Sequence, residues 1–541
     1  MKLRKQDQEF RNPKVFYPDP KNIDLDRVLI NLFLLLKCDG RRPATRGRQK
    51  IEFEKVDAHL NTLSAMRGVK GFDEHREIAR RWLEVDVFDL VNRGRPTTEA
   101  IASLRPLHLD AHKIRVSKYC RDYNHADALY AMLEYGDRQA LRDLRSYLDL
   151  GRDSATKHYD GETELDLETL TVLKLVEDLP DMYPSDEKVT PYAPTCLGQA
   201  RVLCDDIQRI LAYQNEVPRP VMIEYLKTIL GLHLGIYTFR LARQLSGWIA
   251  DKQAHPVCRN CPVFGNTASP FAECPYNVSF TVDMGDDFRS RMAQLAQQSA
   301  ATEFERLLEL VRAVFAMNQL LRYAREERLR DDPMDVPSIL NSPPAMFEAD
   351  FKAILKQLIQ LNSDEEQLPP EVQATLNAGL SSFETFVEVV TQIRQKHHIS
   401  YLVQMMDKLF QKNSPYASLV QGRSTANPRR WHLGGRLLEV FVQLSVLRFD
   451  EVEGRKSFFT EPVLIEDFLR WIEHRYGFVI APATMRDGRQ PITLDEHRAF
   501  RENVRALKDR LREIGFYDDL SDAYNAQMVR PRYNLQRQKT A

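Results

Sequence analysis

The sequence predicts a mainly α-helical, multidomain protein with a small cysteine-rich metal knuckle and a winged-helix-like module at its C-terminal end. Apolar residues recur at helical spacing along most of the chain, and strict alternation of apolar and polar residues is almost absent from its first half. Three of the seven cysteines, Cys258, Cys261 and Cys274, fall in one short segment at the spacing of metal ligands. A chain of 541 residues has room for about two to four domains, each with its own core.

Composition and charge exclude several classes of protein. Apolar residues make up 43% of the chain and charged residues 28%, as in ordinary globular proteins. The formal net charge of −1 means that any nucleic-acid binding has to come from local basic patches. The N-terminus lacks the apolar core of a signal peptide, and the most apolar run, 220–237, contains Glu224 and Lys227, which favours a buried helix over a membrane span. An odd number of cysteines with one cluster favours a reducing compartment. We therefore expect a cytoplasmic protein without membrane contact.

Four segments are predicted along the chain. They are an N-terminal helical domain with a basic loop (1–180), a helical domain that contains the cysteines (181–330), a helical linker domain (331–420) and the winged-helix-like module (421–541). The boundary after 330 is indicated by four prolines between Asp331 and Ala345. The basic loop, 41–50, has five basic residues and no acid, so it suits contacts with phosphates, although a solvated loop explains the same residues.

Within the first two segments, local signals predict several elements. Asp24 to Lys37 reads as a leucine-rich helix. His108 and His112 stand four residues apart and could ligate a metal from one helix face, but we interpret them as surface histidines. Residues 288–330 predict a long helix with one break near Ser299.

The metal knuckle is predicted from C-x2-C-x12-C spacing. A C-x2-C turn brings two thiolates onto one ion, and a third cysteine that returns after a glycine- and proline-containing loop closes most of a tetrahedral shell. The fourth ligand is predicted to be Cys196, which follows Pro194 at a predicted helix start. Cys204 lies inside that helix, where a thiol is typical of a core, and His255 is only three residues from Cys258.

Three states of this cluster are compatible with the sequence. A structural zinc ion is the leading interpretation. An iron–sulfur cluster is the alternative, because a distant cysteine followed by CxxC and a last cysteine is also its pattern. Reduced thiols without a metal are the third state. Catalytic zinc is disfavoured, since no His-Glu pair at i, i+4 spacing accompanies the cysteines.

The C-terminal module is predicted to contain three helices and two basic surfaces. The helices are expected over 437–449, from Pro462 to Tyr476, and over 495–514, the last ended by Gly515. Arg501, Arg505, Lys508 and Arg512 form a stripe next to the apolar face of the third helix. Basic residues also occur in the loop before the first helix, at Arg429 and Arg430, and in the tail, at Arg530 and Arg532. In a winged helix, such a third helix enters the major groove of DNA. A protein partner or plain solvent are the competing interpretations of the stripe.

One stretch of this module is similar to known proteins. The run from Glu502 to Asn525, which includes Ser521-Asp522-Ala523, and then Val529-Arg-Pro-Arg-Tyr533, resembles the C-termini of proteins encoded in bacterial antiphage defence operons, and in particular a component of the methylation-associated defence system. The resemblance implies a role in antiviral defence and other defence-system proteins as partners. It implies no catalytic residues, because the shared run is not a catalytic signature.

Together these observations predict a component of an antiphage defence complex that binds DNA or docks on DNA-bound partners and is stabilised by a structural metal. A metal-dependent nucleic-acid-processing enzyme is the first alternative, and a pure protein-interaction scaffold the second. Phosphate-binding GxxxxGK[ST], nucleophile-elbow and HExxH motifs are absent from the sequence, which disfavours the enzyme. Divalent-metal nucleases need only a few spaced carboxylates, so the enzyme stays an alternative.

Overall fold

The fold was analysed in a computed structural model of the chain. It describes residues 3–43, 56–65, 70–92, 100–181, 183–189, 192–264, 270–271, 274–360, 362, 369–424, 427–452, 455–481, 493–517 and 527–537. Most of the predicted basic loop, including Arg46, Arg48 and Lys50, lies outside these residues.

Helices dominate the described residues. They are α1 (Leu25–Lys37), α2 (Val56–Ser64), α3 (Arg76–Trp82), α4 (His125–Gly136), α5 (Arg138–Leu148), α6 (Leu167–Val176), α7 (Leu197–Leu211), α8 (Arg219–Ala250), α9 (Pro256–Arg259), α10 (Arg291–Glu326), α11 (Phe347–Gln360), α12 (Pro370–Leu376), α13 (Ser382–Leu409), α14 (Gly435–Ser445), α15 (Ile465–Tyr476) and α16 (Leu494–Glu513). The prediction of a mainly helical protein is confirmed. No helix among the described residues combines the length and the apolar character that crossing a bilayer requires.

Strands are short and occur in pairs. They are β1 (Arg41–Pro43), β2 (Phe88–Val91), β3 (Ala100–Leu104), β4 (Pro184–Lys188), β5 (Phe280–Thr281), β6 (Leu419–Val420), β7 (Arg430–Trp431), β8 (Leu447–Val452), β9 (Arg455–Thr460), β10 (Val463–Leu464), β11 (Phe478–Val479) and β12 (Met528–Val529). The pairs are β1–β4, β2–β3, β6–β7, β8–β9 and β10–β12, all antiparallel, and the parallel pair β5–β11.

The core is organised around two long helices, α8 and α10. Most positions of α8 are buried, as expected of a helix with apolar residues on more than one face. α10 packs against α8 on one side and against α13 and α16 on others. The buried apolar side chains form one contiguous cluster from Phe10 to Val529, so buried contacts join all four predicted segments. A second, small cluster consists of Val202, Val263 and Phe271.

Three predicted helix limits are wrong. α10 runs through Ser299 without a break, and the Ser299 hydroxyl accepts a hydrogen bond from the Thr281 N–H at 3.0 Å. The first C-terminal helix ends at Ser445, and the apolar residues after it form β8. The next helix starts at Ile465 and not at Pro462, since Thr460 ends β9 and its hydroxyl accepts from the Leu535 N–H at 3.0 Å instead of capping a helix.

Two other boundaries are confirmed. The side chain of Asp24 caps α1 by accepting from the Asp26 and Arg27 N–H groups. Gly515, which follows the C-cap residue Ile514 of α16, has a φ of +79°, the left-handed conformation expected of a glycine beyond a helix end.

The C-terminal elements follow the order α14, hairpin β8–β9, α15, α16. In a winged helix the hairpin follows the third helix, whereas here it lies between the first and the second. α16 is held in place by Asn503, which is 3% exposed. Its amide accepts from the Met284 N–H at 2.7 Å and donates to the carbonyl groups of Val282 and Ile480, both at 2.8 Å.

Candidate functional site

The four cysteines predicted as metal ligands line one cavity. Cys196 stands at the N-cap position of α7, Cys258 lies in α9, and Cys261 and Cys274 lie on the chain that follows α9. The cavity has a free volume of about 30 Å³. We call this set of four the cysteine centre.

A glycine lets the cysteine centre sit directly against α7. A Cβ atom at Gly198 would lie 2.8 Å from both the Cys261 sulfur and Cγ2 of Val263, closer than side chains normally approach. The contact is extended by Arg201, whose guanidinium donates to the Cys261 carbonyl at 2.9 Å. Glycine two residues after Cys196 therefore allows the distant cysteine and the CxxC loop to meet.

A buried cation faces the cysteine centre. Arg240 of α8 is 1% exposed and lines the same cavity. One of its nitrogens, Nη2, donates to the side chain of Asn277 at 2.9 Å, and the guanidinium carbon lies 3.3 Å from the centroid of the Phe271 ring. Among the described residues, its Nε and Nη1 lack an oxygen or nitrogen acceptor, and the guanidinium interacts with the Cys274 side chain. A buried guanidinium beside four thiols is stabilised by negative charge on the sulfurs.

The protonation state of the four cysteines depends on whether a cation binds in the cavity. Burial raises the pKa of Cys196 to about 12 and that of Cys258 to about 11. Gln244 donates to the Cys258 sulfur at 3.5 Å, a contact that favours the thiolate. Metal ligation requires thiolates, so a cation that binds here has to displace protons.

The sulfurs are not drawn tightly together. Among the described residues, the group of histidine, cysteine and acidic ligand atoms that all lie within 4.8 Å of one another is His108, Asp110 and Asp149, and not the cysteine centre. A tetrahedral zinc ion with Zn–S bonds of about 2.3 Å needs closer sulfurs than these.

The two neighbouring candidate ligands have other contacts. Cys204 is fully buried, with its sulfur 3.7 Å from the carbonyl oxygens of Met132 and Leu133, as expected of a core thiol. His255 caps α9 by accepting from the Val257 N–H at 3.3 Å.

The basic stripe predicted on the third C-terminal helix lies on the exposed side of α16. Arg501, Arg505 and Arg512 are exposed, and Lys508 is half-buried and hydrogen-bonds Gln527. Arg512 also pairs with Asp509 at 2.7 Å. We call these four residues the α16 basic stripe. The opposite side of the helix is buried through Ala499, Asn503, Leu507 and Leu511.

The other predicted DNA contacts differ in accessibility. Arg530 is exposed, and Arg532 pairs with Glu439. Arg429 forms a bidentate pair with Asp407 at 2.9 and 2.8 Å. Arg430 is 2% exposed and pairs with Asp283, so its guanidinium is committed to the protein interior.

The comparisons with known proteins agree with this C-terminal resemblance and extend it. A family model described as "Methylation-associated defense system protein MAD7" matches residues 5–533. The chain belongs to the MAD7 family. No curated protein and no solved structure matches it. Membership makes the chain a defence-system component, with other defence proteins as its expected partners.

In this member of the MAD7 family, His108 and His112 are fully buried, and the prediction of surface histidines is wrong. Burial lowers the pKa of His108 to about 3 and that of His112 to about 4. Asp110, next to His108, is already surrounded by Lys37, Lys113 and Arg152 at 2.8–3.2 Å. Three cations around one carboxylate disfavour a further cation, so this group is an ionic network.

A second buried network in the MAD7-family chain was missed by sequence reasoning. Asp206 of α7 is fully buried and accepts hydrogen bonds from His233 at 2.8 Å, from Tyr476 at 2.8 Å and from Nε of Arg475 at 2.9 Å. His233 and Arg240 belong to the same buried face of α8. The helical spacing of these α8 residues was the available signal, but their partners lie far away in sequence.

Proposed function

We propose that this MAD7-family protein is the part of its defence system that contacts DNA through the α16 basic stripe, on a body stabilised by zinc in the cysteine centre. The observation that carries the proposal is the stripe itself, with exposed guanidinium groups on a helix whose other face is fixed in the core. Docking on a DNA-bound partner is the second candidate, because exposed acids, among them Glu502, Asp509 and Glu513, run beside the stripe.

Rigid presentation supports contact with phosphates. Asn503 hydrogen-bonds three backbone groups from two other segments, and Arg510 donates to the Met284 carbonyl at 3.0 Å. α16 therefore keeps its orientation while the stripe reaches outward. Exposed arginines on a fixed helix can neutralise successive phosphates without reading the sequence of bases.

The DNA proposal is tested by salt dependence. We expect the full-length protein to bind duplex DNA, and the triple variant Arg501→Ala, Arg505→Ala, Lys508→Ala to lose about two to three from the slope of log K against log salt concentration, because each phosphate contact contributes about 0.9. The control removes three exposed cations elsewhere, Arg142, Lys352 and Lys356, and should leave the slope unchanged.

Equal DNA binding by both triple variants and the wild type would overturn the DNA proposal. If the stripe variant instead fails to co-purify with proteins of the same defence system while the control succeeds, the stripe is a protein-docking surface. Divalent-ion-dependent cleavage of plasmid DNA by the purified protein would favour the nuclease-like alternative.

The zinc proposal is supported by the convergence of the cysteines and by their charge environment. Four cysteines from three places in the sequence line one cavity. Zinc with four thiolates carries a net negative charge, which Arg240 would offset from within the protein. Bound zinc would stabilise the fold by linking the start of α7 to the loop after α9.

Metal analysis of anaerobically purified protein tests this part. We expect about one zinc per chain and no visible absorption, as in closed four-ligand zinc sites. Cys258→Ser should lose the metal and melt at a lower temperature, whereas Cys204→Ser, which removes a core thiol outside the cavity, should keep the metal. Iron with visible absorption would replace zinc by an iron–sulfur cluster. Protein without metal that melts like Cys258→Ser would overturn the metal centre altogether.

A further inference from the structure

A cleft of about 420 Å³ lies where α7, α14, the β8–β9 hairpin and α15 meet. It is lined by Arg209, Ser445, Leu447, Arg448, Phe449, Val463, Asp467, Arg470, Trp471 and His474. We call it the α15 cleft. It shares no residue with the cysteine centre or with the α16 basic stripe.

The lining carries an excess of positive charge. Arg209, Arg448 and Arg470 contribute guanidinium groups, and the carboxylate among the described lining residues is that of Asp467. Just outside the lining, Asp205 pairs with Arg209 and Glu461 lies 4.0 Å from Arg448, so the attraction for a phosphate rests on the exposed arginine forks at the rim, whose geometry matches phosphate oxygens.

One of the three arginines is buried and two lie at the rim of the cleft. The Arg209 side chain is only 7% exposed and is held by Asp205 at 2.7 Å and by the Leu447 carbonyl at 3.2 Å. The side chains of Arg448 and Arg470 are 43% and 54% exposed; Nη1 of Arg448 donates to the carbonyl groups of Ser445 and Leu447 at 2.9 and 3.1 Å, which leaves Nη2 for a ligand. Arg470 pairs with Asp467 at 3.0 Å, an exposed contact that a phosphate can replace at little cost.

Apolar and aromatic side chains supply the remaining surface. Leu447 and Val463 are buried, and Phe449 and Trp471 are half-buried. Trp471 lies beside Arg475, whose guanidinium carbon is 5.6 Å from the indole centroid and which is itself held by Asp206. The indole thus sits against a fixed support and can offer its accessible surface to a flat ring. Stacking on such an aromatic side chain is worth about 1–3 kcal/mol per base in nucleic-acid-binding proteins.

We propose that the α15 cleft binds a nucleoside phosphate, with the base against Trp471 and Phe449 and the phosphate between Arg448 and Arg470. The volume lies within the range of small-molecule sites. The same chemistry is offered by a free mononucleotide and by one nucleotide of a single strand. This binding site goes beyond the proposed duplex contact of α16.

The test uses the full-length protein with three probes: 5′-AMP, a short thymidine oligonucleotide and inorganic phosphate. Binding is followed by calorimetry and by tryptophan fluorescence. Of the four tryptophans, Trp248 and Trp431 are fully buried, Trp82 is half-buried outside the cleft, and Trp471 lines the cleft, so we expect quenching by the nucleotide probes that is lost in Trp471→Phe. The double variant Arg448→Ala, Arg470→Ala should weaken binding by at least about tenfold.

Matched controls separate this site from other basic surfaces. Arg142→Ala, Lys352→Ala removes the same charge from exposed positions on α5 and α11 and should bind nucleotide like the wild type. Asp467→Asn removes the carboxylate that competes with phosphate and should bind equally or more tightly. The α16 triple variant should also bind nucleotide normally, so failure of the α16 proposal and failure of this one give different results.

The three probes distinguish a free nucleotide from a single strand as the ligand of the α15 cleft. Binding of 5′-AMP with the expected variant pattern supports a free nucleotide, and binding of the oligonucleotide alone supports a single strand. Equal affinity for inorganic phosphate and 5′-AMP would overturn the role of the aromatic side chains. Absence of binding, or binding that the double variant retains, would overturn the site.

Discussion

Replacing Asp206 by alanine tests whether the buried network between α7, α8 and α15 stabilises the fold. Asp206 accepts from one residue of α8, His233, and from two residues of α15, Arg475 and Tyr476. Burial alone raises the pKa of Asp206, but Arg475 and His233 lower it below its ordinary value, so the carboxylate is charged. It therefore joins three helices through charge-assisted hydrogen bonds.

The size of the effect follows from what the substitution leaves behind. Arg475 is 2% exposed and, among the described residues, would keep only Asp205, at 2.7 Å, as an acidic partner. Removing one partner of a buried ion pair typically costs about 3–5 kcal/mol, because the other charge remains buried. We expect Asp206→Ala to lower the free energy of unfolding by about that amount, and Asp206→Asn, which keeps the shape, to lower it by less.

The assay is urea denaturation followed by circular dichroism and by tryptophan fluorescence, with coincident transitions as the condition for a two-state free energy. The control is Glu309→Ala, which breaks an exposed pair with Arg306 at 3.3 Å and should cost at most about 1 kcal/mol. If Asp206→Ala loses no more than this control, the network does not stabilise the fold and the reasoning is refuted.

Three further predictions concern pH, the cysteine centre and α16. Burial lowers the pKa of His108 to about 3 and that of His112 to about 4, so below pH 6.5 the unfolded chain binds protons that the folded chain does not. Each histidine should therefore lower the free energy of unfolding by about 2 kcal/mol at pH 5. A melting temperature that stays constant from pH 7 to pH 5 would contradict this prediction. Gly198→Ala should push the CxxC loop away from α7 and lower both metal content and melting temperature, whereas Gly435→Ala, where an added Cβ meets nothing closer than 3.9 Å, should change neither. Asn503→Ala should cost roughly 2–4 kcal/mol because three buried backbone groups lose their partner; a loss below about 1 kcal/mol in urea denaturation would show that these groups find other partners.

Features that depend on nearby residues were predictable from the sequence. The start of α1 at Asp24 and the end of α16 before Gly515 follow from capping chemistry that operates within a few residues. The choice of Cys196 over Cys204 followed from position, since a cysteine at a helix start can face a loop while one inside an amphipathic helix faces the core. Cys196 lines the same cavity as Cys258, and its role as a metal ligand stays a prediction.

Features that depend on distant partners were not predictable. Arg429 and Arg430 look like a nucleic-acid loop in sequence, but the partner of Arg430 is Asp283, 147 residues earlier. The partner of Asp206 lies 269 residues later, at Arg475. Periodicity along one helix says which side is buried, but it cannot say which charge from another helix will meet it there.

The parallel pairing of β5 with β11 has a consequence for biosynthesis. Phe280 and Val282 donate to the carbonyl groups of Gly477 and Val479, at 2.7 and 2.9 Å, and Asn503 closes the same segment. Residues 280–284 therefore leave the ribosome about two hundred residues before the segments with which they form hydrogen bonds. Until then, their backbone groups and the apolar side chains beside them stay available to chaperones or to wrong strands. Premature stops between α13 and β11 should consequently yield aggregated protein and not a smaller folded core, even though most of the buried helices have been completed by then.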